Sequence, residues 1–90
     1  MQFEWDDEKE KKNIKKHGIS FRIAAHVFDD DMRIELFDEE HSITEERFIT
    51  IGLVDRIITV VYTDRTDAIR IISARRATPE EERRYANGHR

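Results

Sequence analysis

The chain has no cysteine, so disulfide and thiolate chemistry are excluded and a reducing compartment is compatible. It has one proline and three glycines in 90 residues, and Gly18 and Pro79 stand where a helix would stop and another start. No apolar run approaches the roughly 20 residues that a bilayer-spanning helix needs, and the first residues, MQFEWDDEKEKK, contain no apolar signal core. The expectation is a soluble, cytoplasmic protein. Lysine is missing from the second half, where every cation is arginine: Arg47, Arg56, Arg65, Arg70, Arg75, Arg76, Arg83, Arg84 and Arg90. Arginine grips phosphate or carboxylate through two parallel hydrogen bonds, which lysine cannot do.

Charge is abundant, at 40 % of residues, and unevenly spread. Residues 1–45 carry 7 Lys/Arg against 13 Asp/Glu, and residues 46–90 carry 9 against 7, so the net charge of −4 hides a basic second half. The apolar residues fall in periodic clusters, which separates the chain from disordered sequences of similar charge. The length predicts one domain over residues 1–90 with a modest core.

The pattern predicts an α+β fold. Gln2–Glu4 reads as a short edge strand. Asp6 or Asp7 caps a helix ending near His17, Asp7 with Glu10 having the spacing of a cap and its N3 acid, and Gly18 supplies the stop. Ser20 caps a second helix on which Phe21, Ala24, Ala25 and Phe28 recur at helical spacing, ending in Asp29–Asp31. The period then changes. Strands are predicted over Arg33–Phe37, Phe48–Val54, Ile57–Thr63 and Ala68–Arg75, with tight turns at Asp55–Arg56 and Asp64–Asp67 giving a small antiparallel meander. Ile57–Tyr62 is apolar on both parities and belongs in mid-sheet. Thr78-Pro79-Glu80-Glu81 is a capping box that opens a C-terminal helix.

The stretch IRIISARRATPEEERRY, residues 69–85, places two arginines where a strand hands over to that helix. A helix start favours anions, so cations there gain most when an anion joins them. Strict alternation puts Arg75 with Ile69, Ile71 and Ser73, and Arg76 with Arg70, Ile72 and Ala74. The bland alternative is a solvated pair. In the first helix Ile14 is the only aliphatic residue; with Ile14 facing the core, Asn13 and His17 border the buried edge. Histidine there suits acid–base work near neutrality, or simple packing at a helix end. Glu81 reads as the cap before a general base, and Tyr85 as packing before chemistry. The acidic runs Asp29–Asp31 and Asp38–Glu40 read as a solvated face or a surface for a basic protein. HExxH, GxxxxGK[ST] and GxGxxG are absent, so the corresponding metal and nucleotide sites are unsupported.

FEWD at 3–6, KHGISF at 16–21, VFDD at 27–30, EER at 45–47, VVYT at 60–63 and RIISARRAT at 70–78 together resemble the BrnT family, toxins of bacterial type II toxin–antitoxin pairs. The resemblance runs from Phe3 to Tyr85. It implies a domain related to the RelE-type ribonuclease toxins, cutting RNA without cofactor or metal, inhibiting translation and held by a BrnA-type antitoxin, with operator DNA reached through that antitoxin. The family pattern falls on Trp5, Asp6, Asn13, Lys16, His17, Gly18, Phe21, Glu46, Arg47, Gly52, Arg70, Ser73, Arg75, Glu81 and Tyr85. For a metal-free cut by the RNA's own 2′-hydroxyl, Arg75, His17, Arg65 and Tyr85 are candidate catalytic residues, and Lys16, Arg70, Arg76 and Arg84 candidate RNA contacts; Arg65, Arg76 and Arg84 lie outside the family pattern. Pro79-Glu80 stands where relatives commonly carry basic residues. The competing reading is a non-catalytic module that binds its partner and acts with it in transcriptional autoregulation.

Overall fold

The computed structural model describes residues 1–88; Arg90 lies outside the described residues. The elements run β1 (Phe3–Glu4), α1 (Asp7–His17), α2 (Phe21–Ala25), a 3₁₀ turn (His26–Asp29), β2 (Ile34–Phe37), β3 (Phe48–Val54), β4 (Arg56–Asp64), β5 (Ile69–Arg76) and α3 (Pro79–Asn87). The α+β expectation holds. The five strands form one sheet in the order β1-β5-β4-β3-β2, with β4 in the middle as its two-sided apolar sequence requires. The meander β2 to β5 is antiparallel, and β1 adds a parallel pair, Phe3 opposite Ile69 and Glu4 opposite Arg70, so the sheet is mixed.

The caps follow the sequence with one exchange. Asp6, not Asp7, caps α1: its Oδ1 accepts from the N–H groups of Glu8 (2.8 Å) and Lys9 (3.1 Å). Glu10 is thereby released from capping and accepts instead from the N–H of Phe21 at 2.9 Å, tying α1 to the first turn of α2. Gly18 ends α1 with φ of 72°, a left-handed conformation that costs glycine little. The second helix is shorter than its apolar stripe, because the chain tightens into the 3₁₀ turn after Ala25.

One sheet face packs against α2 and the 3₁₀ turn. Ile19, Phe21, Ala24 and Val27 meet Ile58, Val60, Ile71 and Ala74 in the buried core. Gly52 lies under this layer; a Cβ there would stand 2.8 Å from Val27 Cγ1, so the close approach requires glycine. Aromatic rings cross the sheet in a chain of contacts, Phe3–Phe28–Tyr62–Phe48–Phe37, with centroids 5.0 to 5.6 Å apart.

α1 does not pack as its composition predicts. Ile14 is 44 % exposed, and the residue turned inward is Asn13, 7 % exposed. The reason is the sheet edge. β1 pairs with only the first residues of β5, which leaves later backbone groups of β5 without a strand neighbour. The Asn13 side chain takes that place: its Nδ2 donates to Ala74 O (2.8 Å) and to Ile19 O (2.9 Å), and its Oδ1 accepts from Ala74 N (3.1 Å). A side-chain amide carries both a donor and an acceptor, so it can stand in for a strand.

Candidate functional site

The opposite sheet face is covered at one end by α3 and open at the other. A register shift between Val61 and Tyr62 decides which β5 residues reach it. Ser73 pairs with Val61 and Ile71 with Tyr62, so Ile72 is the extra residue of a bulge. Strict alternation therefore fails at Ile72. Ile71 joins Ala74 in the core, while Ser73 and Arg75 share the open face, and Arg76 falls on the other side opposite Ile58.

The open end is a cleft of about 410 Å³ lined by Asp38, Glu40, His41, Arg47, Ile49, Val61, Ile72, Ser73 and Arg75. Ile72 and Ser73 also line a second hollow of about 220 Å³, whose other walls are Lys9, Lys12, Asn13, Lys16 and His17. Lys9, Lys12 and Lys16 lie at helical spacing on the side of α1 facing β5, and the two hollows adjoin at Ile72 and Ser73 as a groove that also carries Asp38 and Glu40. A chain of net charge −4 thus sets three lysines and two arginines against two acidic residues, Asp38 and Glu40, along one strand edge.

Arg75 is held firmly. Its Nη1 donates to Glu81 Oε1 (2.7 Å) and Arg76 O (3.2 Å), and its Nη2 to Glu81 Oε2 (3.0 Å). Glu81 also accepts from Thr59 Oγ1 (3.0 Å) and Thr78 N (2.9 Å), so one carboxylate closes the capping box and orients the arginine. The Arg75 Nε–H makes no hydrogen bond among the described residues, which leaves the guanidinium able to meet an anion in the cleft. Arg47 makes no ion pair among the described residues, and it shares the cleft with Asp38 and Glu40.

Burial pushes the Glu81 carboxyl up, but the hydrogen bonds from Arg75 and Thr78, the arginine's charge and the Thr59 hydroxyl outweigh it and hold its pKa at about 2. A carboxyl with a folded pKa below its ordinary value contributes stability above that ordinary value and loses it as pH falls through the folded one. The melting temperature should therefore fall between about pH 4.5 and 2, and more steeply in wild type than in Glu81→Gln. Thermal melts of the two proteins across that range check this; parallel curves would contradict it.

The remaining predicted residues stand elsewhere. Tyr85 is 8 % exposed and donates to Asp30 Oδ2 at 2.6 Å, with burial first and that hydrogen bond second pushing its pKa up to about 12. It anchors α3 and does not line the cleft. Arg65 sits in the β4–β5 turn, 3.2 Å from Glu45, and so braces the 38–47 loop that overhangs the cleft. Arg70 donates to Glu4 at 2.7 Å and locks β1 to β5. Arg76 ends β5 on the far side, and Arg84 is an exposed residue of α3. The structure thus brings together Arg75, Lys16 and His17 along one groove, and keeps Arg65, Tyr85, Arg70, Arg76 and Arg84 out of it. It adds Arg47, His41, Asp38, Lys9 and Lys12. The lysines were readable from their spacing of three and four; that the 38–47 loop folds over the sheet was not.

The family described as "Ribonuclease toxin, BrnT, of type II toxin-antitoxin system" matches residues 5–81. The chain belongs to the BrnT family. A crystal structure of the Brucella abortus ribonuclease toxin BrnT superposes with a TM-score of 0.69 at 25 % identity, covering 87 % of this chain and 97 % of that one. No curated protein matches. Membership in the BrnT family makes this chain a ribonuclease toxin of a type II pair, and a type II toxin has a cognate antitoxin as partner. The match spans α1 to the capping box of α3, so both walls of the groove lie inside it. No helix among the described residues is long and apolar enough to cross a membrane.

Proposed function

We propose that this BrnT-family chain is a metal-independent endoribonuclease that cuts RNA in the cleft between β5 and the 38–47 loop, inhibits translation, and is neutralised by a BrnA-type antitoxin covering that cleft. The observation that carries the reading is a pair of hollows that share Ile72 and Ser73, one lined by Arg47 and Arg75 and the other by Lys9, Lys12, Lys16 and His17. The cations lining the two hollows suit a single sugar–phosphate strand, which α1 lysines steer and two arginines grip.

The chemistry asks little of the protein. The 2′-oxygen attacks the adjacent phosphorus, the P–O5′ bond breaks, and a cyclic phosphate and a 5′-hydroxyl result. One proton leaves the 2′-oxygen and one reaches the 5′-oxygen. Arg75, fixed by Glu81, and Arg47 stabilise the charge that develops on the phosphoryl oxygens, while the groove aligns the attack. The aliphatic floor of Ile49, Val61 and Ile72 gives bases a surface without selecting among them by hydrogen bonds.

Two assays test the reading. Labelled RNA incubated with purified protein in EDTA should be cleaved, with cyclic-phosphate ends; no cleavage with or without ribosomes would reject it. Expression of the chain alone should arrest growth, and co-expression with its antitoxin should restore it. A passive binding module would do neither.

A further inference from the structure

The same His–Asp arrangement occurs twice among the described residues, and one copy overlooks the groove. His26 Nδ1 stands 3.1 Å from Asp29 Oδ2, with both side chains well exposed, at 61 % and 79 %. His41 Nδ1 stands 3.1 and 3.0 Å from the two carboxylate oxygens of Asp38, and here the aspartate side chain is only 13 % exposed. The loop around the second pair is tied down. Asp38 N donates to Arg47 O (2.9 Å), Ser42 Oγ donates to Asp38 O (2.6 Å), and Arg47 N donates to Ser42 Oγ (2.8 Å). Arg65 grips the loop from the far side through Glu45. This lacing sets His41 in the wall of the cleft that also holds Arg47 and Arg75.

An ionised carboxylate only accepts hydrogen bonds, so Nδ1 donates in this contact, and in the neutral ring that tautomer leaves the lone pair on Nε2. A carboxylate behind an imidazole fixes tautomer and ring orientation and stabilises the imidazolium that forms when Nε2 takes a proton. We propose that His41 is a catalytic residue of the ribonuclease reaction: its Nε2 accepts the 2′-hydroxyl proton as the O2′–P bond forms and the P–O5′ bond breaks, a water molecule protonates the 5′-oxygen, and Asp38 is its positioning residue. The inference rests on the ribonuclease reading and on the cleft as its site.

The charged groups sharing the cleft with His41 are Asp38, Glu40, Arg47 and Arg75, and none of them is altered in the decisive variant. His41→Gln should lower single-turnover cleavage by about 100-fold while binding a fully 2′-O-methylated RNA as wild type does. The acid limb of its pH–rate profile should disappear. Asp38→Asn should keep that limb, displaced, with a smaller loss of rate. His26→Gln, which removes the matching pair on the other side of the sheet, should cleave at the wild-type rate. Added imidazole should restore cleavage to His41→Gly, which loss of a merely structural contact would not allow. A His41→Gln protein with the wild-type rate and profile overturns the assignment and leaves the ribonuclease reading standing. Failure of wild type itself to cleave RNA overturns both.

Discussion

Arg75→Ala is expected to cleave RNA about 100- to 1000-fold more slowly than wild type, the usual cost of removing one donor that stabilises transition-state charge. The geometry gives this loss its specificity. Arg75 shares the open face with Ser73 and Val61, and Glu81 holds its guanidinium by two hydrogen bonds, so the arginine is preorganised for the phosphate of the proposed reaction. The variant leaves Glu81 without its main partner, which costs about 1–3 kcal/mol of stability. Rates should therefore be compared under conditions where both proteins are fully folded by circular dichroism. Arg75→Lys separates charge from geometry. Lysine keeps the charge but cannot make the paired contact with Glu81, so it should recover only part of the rate. A folded Arg75→Ala protein that cleaves at the wild-type rate would remove Arg75 from the site.

The largest stability effect is expected at a residue that touches no substrate. Asn13→Ala removes three hydrogen bonds at once, two donated to Ile19 O and Ala74 O and one accepted from Ala74 N. All three partners are backbone groups at a closed edge, and each left unpaired costs about 1–3 kcal/mol. With partial compensation by water, a total near 3 kcal/mol is expected, and for a domain of this size each kcal/mol moves the melting temperature by about 4–8 °C. Asn13→Ala should thus melt roughly 15 °C below wild type. Asn13→Asp keeps the size and an acceptor but loses both donors, and should be nearly as damaging. A melting point within a few degrees of wild type would mean that α1 is not stitched to β5 in this way. Because α1 also carries Lys9, Lys12 and Lys16, a loosened α1 should weaken RNA binding as well.

Much of this architecture could be read from the residues. The capping box at Thr78 and Glu81, the stop at Gly18, the cap at Ser20 and the two-sided apolar strand over 57–62 each act through local chemistry, and each stands where the sequence places it. The site was less legible, for identifiable reasons. The bulge at Ile72 shifts alternation by one residue, and no property of isoleucine announces it. Asn13 outranks Ile14 for the inward position because a distant strand edge, 61 residues along the chain, needs an amide. Arg65, Arg70 and Tyr85 look like functional residues by type, but their partners, Glu45, Glu4 and Asp30, lie 20, 66 and 55 residues away. Pairing at that range is set by the fold. Arg47 was named by the family pattern, and only the fold puts it beside Arg75.

On the proposed reading, a single RNA strand crosses the β5 edge at Ile72 and Ser73. The most direct measurement is the change in backbone amide chemical shifts when a fully 2′-O-methylated, uncleavable RNA is added to the 15N-labelled protein. Shifts are expected along one path: Lys9 to His17 on α1, Ile72 to Arg75 on β5, and His41 to Ile49 across the cleft. Shifts confined to the Asp64–Ile69 turn or to the α2 side of the sheet, with β5 silent, would contradict it.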